Sequence, residues 1–251
     1  MKFKIIILLF LLKNIVVFSQ PNIQYAKAKV TYEAKAYVNK NILKHKVLLE
    51  SFPEAAPKIE TIASEFDFSL ILNDYSSVFY LEEKLYSDNL AAKLAIIHLN
   101  FYGIIKQESE NYITEELEED FGRFLVSREY QKWELHNESK VIGEYTCFKA
   151  TTSYTTTNPK GKVFKHNFTA WYTPQLPYKY GPAGYGNLPG LIIELQGDNF
   201  TYGVKKIQFY GDVEKSKKNK MPSLKRLKLI SEEEFEALAA MDEKRWQENH
   251  N

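Results

Sequence analysis

From Ala26 to Val38 the chain alternates without a break. Ala26, Ala28, Val30, Tyr32, Ala34, Ala36 and Val38 take the even positions, against Lys27, Lys29, Thr31, Glu33, Lys35 and Tyr37 at the odd ones. Successive side chains of a strand point to opposite faces, so a β-strand gathers these apolar residues on one face, whereas a helix would scatter them around its circumference. One dry and one wet face also predicts an antiparallel sheet, because parallel sheets are covered on both sides. Phe66, Phe68, Leu70 and Leu72 repeat the pattern with Asp67, Ser69 and Asn73 opposite, and Val78–Leu81 reads as the return strand.

Leu90, Leu94, Ile97 and Phe101 fall on one helical stripe, with Asp88 placed to cap its start and Gly103 its end. Pro53–Pro57 marks a loop that opens a short helical turn. Strand patterning then resumes, predicting strands at 111–117, 122–130, 132–137, 140–155, 163–172, 190–196 and 200–210, with a hairpin turn at Asn137–Lys140. In the strand at 190–196, Leu191, Ile193 and Leu195 are expected inward, with Glu194 and Gln196 on the other face. In the last strand Phe200, Tyr202 and Val204 share one parity and Ile207 and Phe209 the other, which predicts a bulge at Lys205–Lys206. A loop over 211–228 with seven Lys or Arg leads to Ser231–Glu234, a capping box opening a helix over 232–247. The fold class is α+β: mainly antiparallel, one large curved, half-barrel-like sheet with peripheral helices, forming a single domain over 20–251.

The segment Trp171–Ile192 breaks the pattern. It holds four of the nine prolines, four of the eleven glycines and five aromatic rings. Proline fixes φ and glycine permits φ > 0, so the segment is a stiff, turning loop. Trp171, Tyr172, Tyr178, Tyr180 and Tyr185 could line a ligand or partner site, or could seal one end of the sheet. The loop contains no Ser, Cys, His, Asp or Glu, so it offers neither a nucleophile nor a base.

Trp133-Glu-Leu, Val141-Ile-Gly-Glu-Tyr-Thr-Cys-Phe-Lys-Ala150, Ala170-Trp-Tyr-Thr-Pro174 and Asn187-Leu-Pro-Gly-Leu-Ile192 follow one another in that order. Together they resemble the core of the GLPGLI family of exported Bacteroidota proteins, over the run from Trp133 to about Phe209. Asn187 stands where the family name has Gly. Asn is the most tolerant non-glycine residue in the left-handed region, so φ > 0 is expected at Asn187, and φ > 0 or a close approach at Gly190. Leu188, Pro189, Leu191 and Ile192 complete the motif as structural residues. The resemblance implies an exported protein and a β-rich fold; no biochemical activity comes with it.

Residues 1–19 read as a secretory signal peptide: Lys2 and Lys4, then the apolar run Ile5–Leu12, then Val17-Phe-Ser19 before the cut. No later segment is apolar enough to span a membrane after signal removal. Losing Lys2, Lys4 and Lys13 takes the net charge from +1 to −2, which argues against a nucleic-acid partner. The single Cys147 excludes an internal disulfide and is expected to be a buried hydrophobe.

His45, His98, His136, His166 and His250 show no metal-ligand spacing, and His98 is expected to be partly buried and satisfied. No metal, cofactor or catalytic residue is expected. The run Glu115–Asp120 reads as a solvated charge cluster, and the basic loop as a solvated surface.

Three functions remain open. The first is a periplasmic or outer-membrane-associated, non-enzymatic carrier of a hydrophobic ligand, lipid or lipoprotein, with the aromatic loop across the mouth of the cradle. The second is an interaction subunit that docks on an outer-membrane receptor. The third is a hydrolase or thiol enzyme using Cys147, His166 or Glu194. The interior decides between them: a tunnel, a filled core, or a cleft with clustered titratable groups.

Overall fold

The computed structural model describes residues 26–39, 43–101, 103–118, 121–157, 161–211 and 221–250. The expected signal peptide, the end of the acidic run at 119–120 and residues 212–220 of the basic loop lie outside the described residues. Strands β1 (Ala28–Ala36), β2 (Asp67–Leu72), β3 (Ser77–Leu81), β4 (Ile105–Gln107), β5 (Asn111–Glu118) and β6 (Gly122–Glu129) come from the first half of the chain. Strands β7 (Glu134–Ile142), β8 (Tyr145–Thr157), β9 (Val163–Thr173), β10 (Leu191–Gln196), β11 (Phe200–Phe209) and β12 (Lys228–Ser231) come from the second. The helices are α1 (Leu43–Ser51), α2 (Ile59–Ser64), α3 (Asn89–His98) and α4 (Glu232–His250).

One sheet holds all twelve strands, in the order β12-β6-β5-β4-β3-β2-β1-β11-β10-β9-β8-β7. Every neighbouring pair is antiparallel except β12 with β6. The sheet is thus two meanders zipped together where the first strand meets the eleventh. Reversing direction at each step from β1 outward gives β6 and β7 the same direction, although β7 is one edge of the sheet and β6 lies next to the other, beside β12. Only Tyr130–Trp133 separates them in the chain, a link that reaches at most roughly 18 Å when extended. The sheet must therefore bend far enough to bring the end of β6 near the start of β7. It is one open, β-rich sheet, and the parallel β12 makes it mixed at one edge.

The inner face carries the core. Val30, Tyr32 and Ala34 of β1 lie beside Phe68, Leu70 and Leu72 of β2, Phe79 of β3 and Tyr202 of β11, all buried. Phe68 stacks on Phe79 at 5.4 Å between ring centroids and meets Phe101 and Tyr202 edge-on at 5.1 Å each. Helices α2 and α3 cover this cluster through Ile59, Ile62, Ala63, Ala91, Ala92, Ala95 and Leu99. The β1–β11 ladder shifts register as Thr31 opposes Lys206 and Tyr32 opposes Val204, so Lys205 is the extra residue of the expected bulge.

Several expectations need correction. Leu90 and Ile97 are exposed, so the expected apolar stripe is not the buried face of α3; its small alanines pack inward instead and let the helix lie close to α2. The helix starts as expected, with Asp88 accepting from the Leu90 and Ala91 amides, but it ends at His98, where Asn100 (φ 56°) turns the chain before Gly103. Strand β7 runs through Asn137–Lys140, and the hairpin turns at Gly143, whose φ of 61° suits the turn better than any residue of 137–140. In β10, Ile192 opposes Tyr172 and Glu194 opposes Trp171, so Ile193 is bulged and strict alternation fails. Leu191, Ile192, Ile193 and Leu195 are all buried, while Glu194 is half-buried and Gln196 exposed. Helix α1 and strand β4 were not foreseen.

Candidate functional site

Pro/Gly chemistry shapes the 174–190 loop as expected. Asn187 has φ 61° and Gly190 φ 156°. The Asn187 amide donates to Lys179 O at 2.7 Å, Leu191 to Leu176 O at 2.9 Å and Ile192 to Tyr180 O at 3.1 Å, folding the loop back on itself. Gln107, wholly buried on β4, holds it from beneath: Nε2 donates to Tyr185 O at 3.0 Å, while Oε1 accepts from Ser77 Oγ at 3.0 Å and the Gly181 amide at 3.3 Å. Trp133 Nε1 donates to Gly186 O at 2.8 Å and Tyr32 OH to Ile192 O at 2.6 Å. Asn187→Gly should be neutral or slightly stabilising, and Asn187→Val should cost roughly 1–2 kcal/mol because a β-branched residue fits φ > 0 poorly. Chemical denaturation of the two variants checks this; a valine variant as stable as the parent would refute the strained-turn reading.

The five rings divide. Tyr172, Tyr180 and Tyr185 are buried, and Tyr185 packs 4.7 Å from Phe168. Burial, with the Asp74 and Glu108 carboxylates adding to it, pushes the Tyr180 phenol up to about 12, and burial first of all pushes that of Tyr185 higher still. Trp171 lies on the outer face, half-buried, with Lys140 Nζ 4.3 Å from its ring centroid and bonded to Glu194 at 2.8 Å. Half-buried Tyr178 joins Tyr180, Pro177, Asn187 and Tyr130 around a half-open cavity of about 300 Å³. The loop is chiefly buried against the inner face of the sheet, and this outer lip presents rings to a cavity.

Cys147 is buried and its thiol is pushed up to about 11 by burial, as befits a core residue rather than a nucleophile. His166 pairs across the sheet with Tyr154, seven residues further along β8 than Cys147. That spacing is roughly 23 Å and an odd number of residues, so the two lie on opposite faces and form no pair. Glu115 departs from the expected solvated cluster. Its side chain is only 8% exposed, and although burial opposes its charge, Lys225 and Arg123 at 2.9 Å each hold the carboxyl below its usual range. Lys225 of the basic loop thus faces Glu115, while Arg128 of β6 meets Glu232 of α4.

The site that sequence reading missed is a cleft at the surface. One lobe, of about 290 Å³, is lined by His45 and Leu48 of α1, Ile97 and His98 of α3, Tyr154, His166 and Phe168 of β8 and β9, and Asp198, Asn199 and Phe200 at the β10–β11 turn. Asn100 lines it too and is shared with a second lobe of about 260 Å³ formed by Gly103, Ile105, Tyr112, Thr114, Glu116, Arg128 and Ala183. Asn100 and Ala183 (φ 52°) are two of the three non-glycine residues with positive φ among the described residues. Strained backbone gathers where surrounding structure enforces it, commonly at binding sites.

In the first lobe, the His45 and His98 ring centroids are 5.0 Å apart. His98, half-buried and bonded to Tyr37 O at 3.0 Å, is the satisfied histidine expected of it. His166 Nε2 lies 2.9 Å from Thr156 Oγ1, and its Nδ1 3.6 Å from Asp198 Oδ2. No spacing rule could find this group, because its members come from α1, α3, β9 and a turn.

The fold and cleft define an open β-meander with a filled interior and a surface cleft that Ala183 of the Pro/Gly loop helps to line. Residues 160–194 match a family described as a protein of unknown function (Porph_ging), a signature found in Bacteroidota. No curated protein sequence matches the chain. Among solved structures it is similar to "Structure of PNGF-II in C2 space group" and "Structure of PNGF-II in P21 space group", each at 12% identity and TM-score 0.46 over 86% of this chain. The chain spans about a third of their length, 33% and 34% respectively. Among the described residues no helix is long and apolar enough to cross a membrane.

Proposed function

We propose that this chain is an exported, non-enzymatic envelope protein of the GLPGLI type, periplasmic or outer-membrane-associated, that docks a protein partner through the open cleft beside Asn100. The observation that carries this reading is the filled interior. Phe68, Phe79, Phe101 and Tyr202 fill the space beside the inner face, and Tyr180 and Tyr185 are buried with them, so recognition is left to the cleft at the surface. Exposed Ile97 and Tyr154 stand on opposite walls of the first lobe and supply the apolar contact that docking needs.

The carrier reading requires a hydrophobic ligand to sit in a half-open, partly polar cleft, which favours it less. An enzyme reading draws on the order Thr156, His166, Asp198. The 3.6 Å between His166 and Asp198 is too long for an orienting hydrogen bond, and Thr156 lies at the exposed end of β8.

A photo-crosslinking residue at Ile97, with one at Glu33 on the outer face as control, tests docking in the native envelope at pH 7.5. The expected result is one discrete protein adduct from position 97 and none from position 33. Equal adducts from both positions, or a stoichiometric lipid in native mass spectra with no protein adduct, would overturn it.

A further inference from the structure

We propose that the segment Tyr37–Asn39 is an acid-released latch holding helix α1 against the cleft. Three helices each send a titratable side chain to one residue of this short stretch. His98 of α3 bonds Tyr37 O at 3.0 Å, Glu60 of α2 accepts from the Val38 amide at 2.6 Å, and His45 of α1 accepts from the Asn39 amide at 2.8 Å.

Hydrogen-bond logic fixes the protons. A carbonyl oxygen only accepts, so His98 Nε2 carries hydrogen. A backbone amide only donates, so His45 Nδ1 carries none, and the latched form of His45 is the neutral imidazole. A second proton on His45 would land on Nδ1, setting donor against donor and placing a positive charge inside a site only 2% exposed.

Among the described residues, the other groups facing His45 set the sign. His98 is 5.0 Å away on α3 and gains charge over the same pH range, which adds repulsion. Across the cleft stands His166, with the Asp198 carboxylate 3.6 Å from its Nδ1. On its own helix Lys46 and Glu50 pair with each other. Glu60 accepts from the Val38 amide through a carboxylate oxygen, a bond that involves neither imidazole. The latch is therefore closed above the imidazole range and is lost as pH falls through it. Its loss frees α1, which carries His45 and Leu48 of the cleft wall. That consequence rests on the cleft being the docking site; the latch itself does not.

Amide hydrogen exchange of the full chain at pH 7.5 and pH 5.0, corrected for intrinsic exchange, reads the latch alone. Protection of 37–51 should fall at least about tenfold at pH 5.0 relative to β1 and β2, the effect of a one-unit difference in proton affinity. The double variant His45→Asn, His98→Gln keeps an acceptor and a donor in place without titrating, and should lose the response. Unchanged protection in the parent chain, or the same fall in the variant, overturns the proposal. Should the variant fail to fold, nitrogen-shift titration of the parent decides. The Asn39 amide must lose protection as His45 gains its proton, and an amide that stays protected through that step refutes the latch. Failure here with the position-97 adduct intact at pH 7.5 would leave the docking site standing, and the reverse result would leave the latch.

Discussion

Gly190→Ala should lower stability by roughly 3–5 kcal/mol, read by urea denaturation. A Cβ at position 190 would lie 2.1 Å from Thr173 O, 2.5 Å from Thr173 C and 2.8 Å from Pro174 N. These are backbone atoms, and Thr173 is fixed in the ladder opposite Leu191, so no side chain can swing aside to make room. The φ of 156° adds strain that any L-residue would feel. Gly203→Ala is the control: a Cβ there meets nothing within 4 Å, and the change should be near neutral. A Gly190→Ala chain within about 1 kcal/mol of the parent would mean that the loop rearranges freely, against the packing described here.

Gln107→Leu should cost about 3 kcal/mol. The replacement is similar in size, so the loss is not one of volume. It strands the Ser77 hydroxyl, the Gly181 amide and the Tyr185 carbonyl together in a site without solvent. Loosening should begin in the loop, because Gln107 is its attachment to β4. Trp133, which donates to Gly186 O in the same loop, should report this as a fluorescence change at denaturant concentrations below the global transition. Coincident transitions for Trp133 and for the sheet would show that Gln107 does not anchor the loop separately.

What could be read in advance follows physical range. Alternation in β1 is local, since each residue's face is set by its neighbours, and it read correctly. The bulge at Lys205 was legible because Val204 and Ile207 could not otherwise both join the pattern. The φ > 0 at Asn187 was legible because Asn stands there in place of the motif's glycine and tolerates the left-handed region best of the other residues. The turn at Gly143 was misplaced because polar Asn137–Lys140 imitates a hairpin, although those residues lie in an edge strand and simply face water. Strand β4 spans three residues, Ile105–Gln107, too short to show a period. Gln107 looks like any surface glutamine until β3 and the loop enclose it. The cleft was illegible for a related reason: His45, His98, His166 and Asp198 meet only after the sheet has bent.

The meeting of β1 with β11 has a consequence for how such a chain is made. Strands β2 to β6 can each pair with the strand just before them as they emerge, amino end first. The other side of β1 has no partner until residues 200–209 arrive, more than 160 positions later. Throughout that interval one row of its backbone donors and acceptors stands open, beside Val30 and Tyr32 that the finished protein buries completely. An unpaired strand edge flanked by apolar residues invites pairing with another molecule. The nascent chain is therefore vulnerable to its own copies until late in synthesis, and a holding factor that covers β1 until β11 arrives would protect it over that interval.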